Sequence, residues 1–321
     1  MTRHQLAAPL ARHIPASEAP EPVVAVIQAA ATQTALTALA QKAETARVWD
    51  AFRDNGLDPV LLKGWPLAER LFDSAGMRHA KDIDLHVSPC ELPRAVAVLE
   101  ALGYAPLPSH QTRVRLARHR APALLAETND IAWMHPDGHV VELHWRLTHL
   151  AGWVALGALS APLATHPLDR TGRQIRVLGD RANLIYLSVH GQLHLWGRLR
   201  WLYDIARLTT ICAEDELRAA LREAEAIGAG RAVKLSVWLA HMVFASKLPA
   251  GWPAPNWVER HALRRFIALM AAPAGEPGHP LARFGYYLGI LCLGEGIAQR
   301  LAAPRYALWR NLRLHFAGRR Q

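Results

Sequence analysis

The run Arg78-His79-Ala80-Lys81-Asp82-Ile83-Asp84-Leu85-His86-Val87 places two carboxylates two residues apart. Ile83 to Val87 is apolar and β-prone, so a strand is expected, and side chains two apart on a strand share a face. Like charges held that close repel, and one keeps its proton unless a cation lies between them. A hard divalent ion with oxygen ligands, Mg²⁺ first and Mn²⁺ second, removes the conflict. An ion pair with Lys81 or Arg78, or solvation at a strand end, would remove it too. The pair gains meaning only from its surroundings.

Upstream, Val60-Leu61-Leu62-Lys63-Gly64-Trp65-Pro66-Leu67-Ala68 reads as an apolar strand ending at Lys63-Gly64, then a helix to about Leu71 or Phe72. A glycine at such a corner lets backbone approach a ligand, and the new helix offers free N–H groups to an anion. Lys63 would neutralise phosphate charge there, or simply snorkel from a strand end. Arg78 would contact phosphate or orient Asp82. Downstream, Val140-Val141-Glu142-Leu143-His144-Trp145 reads as another strand, with Glu142 and His144 on one face. A glutamate in so apolar a strand is expensive to bury unpaired. It calls for a cation, which a metal, His144 or an arginine could supply. As a third carboxylate Glu142 would bind the metal that activates an acceptor hydroxyl, or take up its proton. A site of this kind could hold a nucleoside triphosphate on two metal ions that clamp the attacking and leaving oxygens of an in-line displacement.

Leu62-Lys63-Gly64, Arg78 ahead of Asp82-Ile83-Asp84-Leu85, Gly103-Tyr104 and Glu142-Leu143-His144-Trp145 together resemble the uncharacterised nucleotidyltransferase-like family. That family belongs to the superfamily typified by DNA polymerase β and the aminoglycoside nucleotidyltransferases. The resemblance spans roughly residues 25 to 210. It implies an α+β fold, a small mixed sheet with helices on one side, and metal ligation by Asp82, Asp84 and Glu142. It also implies an NTP substrate, pyrophosphate release, a natural-product or surface-polysaccharide setting and an acceptor of unknown kind: small molecule, peptide or protein. The superfamily usually carries Gly-Ser or Gly-Gly where this chain has Lys63-Gly64-Trp65, so tryptophan stands in the place of a phosphate-gripping hydroxyl.

At 321 residues the chain can form two modest domains or one large one. With 37 basic against 27 acidic residues it carries a formal charge of +10, which favours anionic partners without choosing among them. Cys90, Cys212 and Cys292 are far apart and odd in number, which argues against a disulfide framework and a cysteine zinc site. Reduced thiols in the cytoplasm are the expectation. The N-terminus lacks a long apolar h-region, so no secretory signal is expected. Phe284 to Leu293, the most apolar run at about ten residues, is too short to span a bilayer. No transmembrane segment is expected.

Residues 1–22 read as a loose tail, 23–161 as the nucleotidyltransferase-like domain and 162–321 as a mainly α-helical domain. Helical spacing runs from Val23 to about Asn55, and Pro89 to Leu102 forms an amphipathic helix stopped by Gly103. Arg113, Arg115, Arg118 and Arg120 make a basic segment, read as a solvated surface ahead of an anion contact. Strands are expected at Asp130–Met134 and Val140–Trp145 around the turn Pro136-Asp137-Gly138, and at Gln174–Leu178 before a helix capped by Asp180. Everything afterwards reads as helices.

Read as one continuous helix from Ala182 to Leu208, the chain brings His190, His194, Gly197, Trp201 and Asp204 into one narrow wedge. With Arg200 nearby, that stripe would line a cleft and bind base, ribose or acceptor, or form a buried hydrogen-bonded network. His-x-x-x-His without a following glutamate does not make the zinc-protease motif. From Leu281 to Gln321 seven arginines interleave with aromatics. RNA or a membrane surface would suit that segment; amphipathic helices burying the rings suit it better. Two rival readings stand beside nucleotidyl transfer: a non-catalytic nucleotide- or peptide-binding module, and a basic RNA-binding protein.

Overall fold

The computed structural model describes residues 4–119, 128–148, 154–160, 162–169 and 171–272, with 295–296 and 300–301. Arg120, Cys292, the run Phe284–Leu293 and nearly all of the arginine-rich C-terminal segment lie outside the described residues. The chain divides into two compact units. The first comprises Met1–Leu147 with Ala161–Gly179, the second Thr148–Ser160 with Asp180–Gln321.

The first unit opens with α1 (Ala7–His13), in the segment expected to be a loose tail, where Ala8 and Pro9 are buried. The 34-residue α2 follows (Glu21–Asp54). Its C-terminal half carries Val48, Trp49 and Phe52 into the core. Between Glu21 and Lys42 the helix has no charged side chain, and Val26, Leu36 and Leu39 are exposed. An 18-residue window of α2 has mean hydropathy 1.6 and is only 17% buried, so by length and composition this helix is apolar enough to cross a membrane. The expectation of no such segment rested on long aliphatic runs and overlooked a helix made apolar by its alanines.

Seven strands form one mixed sheet: β1 (Val60–Leu61), β2 (Ile83–His86), β3 (Ala105–Pro106), β4 (Asp130–Met134), β5 (Val140–His144), β6 (Leu163–Pro167) and β7 (Gln174–Leu178), in the order β3-β4-β5-β2-β1-β7-β6. β2 runs parallel to β5 and β1 parallel to β7; the other neighbours are antiparallel. The hairpin β6–β7, assigned by sequence to the helical remainder, therefore completes this sheet. Alternation decides which face is buried. Ile83, Leu85 and Val87 with Ile131, Trp133, Val141, Leu143 and Trp145 join the hydrophobic core, together with residues of α2 and of α4 (Leu92–Ala101). Each large side chain so buried contributes about 1.5–3 kcal/mol. The intervening residues Asp82, Asp84, His86, Glu142 and His144 are thereby turned to the opposite face. Helices α3 (Trp65–Phe72) and α5 (Gln111–Arg118) complete the unit.

The second unit is helical: α6 (Asp180–Leu193), α7 (Leu199–Ile211), α8 (Glu214–Ala226), α9 (Gly230–Phe244) and α10 (Trp257–Ala271). Asn256 and Glu259 form a reciprocal capping box at the start of α10. The single helix expected from Ala182 to Leu208 is broken, with Leu195 and Trp196 at φ of 49° and 52°. Trp196 folds back so that its N–H donates to the Gly191 carbonyl at 2.8 Å, and its buried ring lies against the glycine. A Cβ on Gly191 would sit 2.3 Å from that ring. Gly191→Ala is therefore expected to destabilise by about 1–3 kcal/mol through overpacking, seen as a lower midpoint in thermal unfolding.

Candidate active site

Two ladders build the site. In the parallel pairing of β2 with β5, Asp84 is the partner of Glu142 and His86 the partner of His144. In the antiparallel pairing of β1 with β2, the Leu62 N–H donates to the Asp84 carbonyl at 3.0 Å, which delivers the next residue, Lys63, to the acidic face. Lys63 Nζ lies 2.5 Å from Asp84 Oδ2 and 3.6 Å from Asp82 Oδ1. On the other side His144 Nε2 lies 3.1 Å from Asp84 Oδ1 and 3.4 Å from Glu142 Oε2. Asp84 is 1% exposed and so is held by two cations away from water.

Burial by itself would raise the Asp84 pKa, but the Lys63 ammonium and the His144 imidazolium outweigh it and hold the carboxyl well below its ordinary range. Burial pushes Glu142 up; the His144 hydrogen bond opposes this, while the charges of Asp84 and Asp82 reinforce it. The environment thus pushes two adjacent carboxylates in opposite directions, Asp84 toward the anion and Glu142 toward holding a proton. Burial would lower His144, yet its hydrogen bonds to Asp84 and Glu142 raise it to about 10. Its neighbour His86, buried and repelled by His144, falls to about 4 and stays neutral.

Gly64 takes φ 95° and ψ −143°, a conformation reserved for glycine, where the chain turns from β1 into α3. A Cβ built there meets nothing within 4 Å, so open space adjoins this backbone corner. Trp65, in the serine's place, is buried in the core and donates from Nε1 to Thr45 Oγ1 at 3.2 Å. It offers the corner no hydroxyl. Arg78 is buried, 2% exposed, four residues before Asp82. In the basic segment Arg113 pairs with Asp130 at 2.9 Å and Arg118 pairs with Glu100, which agrees with a structural surface.

Asp84, Glu142 and His144 present ligand atoms all within 4.8 Å of one another, the only such group among the described residues. Two carboxylates beside a third, Asp82, suit a hard divalent ion, and the space next to Gly64 suits an anion carried with it. The donors fit such a group. His144 was read from sequence as a neighbour of Glu142 and not as a site residue; the shared face was visible, the register that joins it to Asp84 was not.

In the second unit the rings of His190 and His194 lie 4.5 Å apart, and Trp201 lies 5.2 Å from each. The Arg198 guanidinium sits 5.3 Å from the Trp201 ring centre. The helix break spoils the wedge geometry for Gly197 and Asp204, yet folding back still brings Trp201 onto both histidines. Arg200 is half-buried and Asp204 fully buried on α7.

Taken together, the mixed sheet and the carboxylate–imidazole cluster on its polar face define an α+β protein whose acidic cluster could hold a metal ion. The chain belongs to the family of uncharacterised nucleotidyltransferases, whose model matches residues 1–245. No curated protein and no solved structure matches it.

Proposed function

We propose that this protein moves a nucleoside monophosphate from an NTP to an acceptor hydroxyl and releases pyrophosphate, in the cytoplasm and with Mg²⁺ or Mn²⁺. The observation that carries the reading is the register pairing of Asp84 with Glu142, flanked by Lys63 and His144. Asp82, Asp84 and Glu142 would hold up to two divalent ions, which supply charge neutralisation at the phosphoryl oxygens. His144 fixes the two inner carboxylates by hydrogen bonds and is a positioning residue. Glu142, its pKa raised, takes the acceptor's proton as the new P–O bond forms and the bond to pyrophosphate breaks. The Gly64 corner, Lys63 and Arg78 serve the triphosphate. For His190, His194 and Arg200, which belong to the second unit, contact with base, ribose or acceptor is proposed from the sequence alone, whereas the fully buried Asp204 has no exposed surface for such a contact.

The test is transfer of α-labelled NMP, with pyrophosphate release, from each of the four NTPs in the presence of Mg²⁺ and extracts fractionated for acceptors. Glu142→Gln should reduce turnover about 10²–10⁴-fold while nucleotide binding persists. Undiminished transfer in that variant would remove Glu142 from the mechanism. Tight nucleotide binding with no product from any fraction would favour a binding module.

A further inference from the structure

We infer that Lys63 is a built-in counter-ion that makes divalent-metal binding at the aspartate pair dependent on the nucleotide. The inference rests on the nucleotidyltransferase reading and concerns the order in which its ligands arrive. Lys63 Nζ reaches both Asp84, at 2.5 Å, and Asp82, at 3.6 Å, and so stands between the carboxylates that a metal would share. The Lys63 side chain is only 14% exposed, and that of Asp84 1%, so solvent screens the contact poorly. His144 lies on the far side of Asp84, toward Glu142, so Lys63 is the group that competes directly with a metal for the oxygens facing Asp82. A dication arriving with Lys63 still in place meets a repelling neighbour and an Asp84 oxygen already engaged.

A triphosphate changes that balance. Lysine is a compact charge on a flexible four-carbon stem, able to change partner without moving backbone. Lys63 is followed by the Gly64 corner, whose outer side is open for at least 4 Å. Phosphate oxygens placed there would draw the ammonium away from the aspartates and expose their oxygens to the metal. Metal and nucleotide then bind with positive coupling, and by linkage each must raise the other's affinity by the same factor. The device would keep the site from holding a free divalent ion when no nucleotide is present.

The experiment measures Mn²⁺ binding to the full chain by electron paramagnetic resonance and calorimetry, without nucleotide and then with a non-hydrolysable NTP. In the wild type, affinity for Mn²⁺ alone should be weak and should rise about tenfold or more with the nucleotide. Lys63→Met should bind Mn²⁺ alone at least about tenfold more tightly than the wild type and lose most of that coupling. Lys63→Gln serves as the second variant if methionine disturbs folding, judged by circular dichroism. Equal or weaker Mn²⁺ binding by a folded Lys63 variant overturns the inference, while the nucleotidyltransferase reading, tested by Glu142→Gln, still stands. If neither protein takes up Mn²⁺ under either condition, the metal-dependent reading itself falls, and the inference with it.

Discussion

Asp84→Asn is expected to abolish metal-dependent turnover and also to lower the melting temperature by about 6–12 °C. The second effect follows from the ion-pair geometry alone. Asp84 is 1% exposed and is contacted by Lys63 on one oxygen and His144 on the other. Removing one member of a buried ion pair leaves uncompensated charge and costs about 3–5 kcal/mol, of which asparagine's remaining hydrogen-bonding capacity recovers part. At roughly 2–4 °C per kcal/mol for a body of 150–250 residues, a loss near 3 kcal/mol gives the stated shift. Differential scanning calorimetry checks it. An Asp84→Asn protein that melts with the wild type would show that the two cations do not depend on this carboxylate, and would weaken every role assigned to it.

His144→Gln is expected to cost about 3 kcal/mol near neutral pH, with the deficit fading at alkaline pH. The folded-state pKa of His144 is raised to about 10, above the usual value near 6.5. Its contribution is therefore complete below about 6.5 and is lost as pH rises through 10. Asp84, held low, behaves oppositely: its contribution is present above its ordinary range and is lost as pH falls. Urea unfolding of wild type and variant between pH 5 and about 11 should give curves separated through neutrality that converge above about pH 10. A constant separation across that range would mean that His144 is neutral in the folded protein, bonded to Asp84 as a plain donor.

The polar face of the sheet was legible because apolar and polar residues alternate over Ile83–His86 and Val141–His144. Ile83, Leu85, Val141 and Leu143 declare the buried side, so Asp84, Glu142 and His144 must share the other. The strand–glycine–helix corner was legible too, since few residues other than glycine can hold φ 95° between an apolar strand and a proline-started helix. Register was not. Nothing in the local pattern says that Asp84 lies beside Glu142 and His86 beside His144, because that match is made across a long stretch of intervening chain. The strand β6 was missed for a different reason. Leu163-Ala-Thr-His-Pro167 lies at the sheet edge, pairs with β7 alone and shows no buried alternation. The turn after His194 has no proline to announce it and is dictated by where Trp196 packs, a tertiary cause. The arginines of residues 111–118 mark only a basic surface in the sequence and hide a helix whose Val114 and Ala117 are buried.

The parallel contact of Leu61 with Val177 has a consequence for how the molecule comes into being. β1 is an interior strand of only two residues, and one of its two neighbours is made more than a hundred positions later. As the polypeptide leaves the ribosome, the segment bearing Lys63 therefore has an open flank until Leu178 has emerged. Such non-local closure is slow, because the entropy of a long loop must be overcome before the contact rewards it. The flank of the strand that leads into Lys63 is consequently closed later than the pairing of β2 with β5 that brings Asp84 to Glu142.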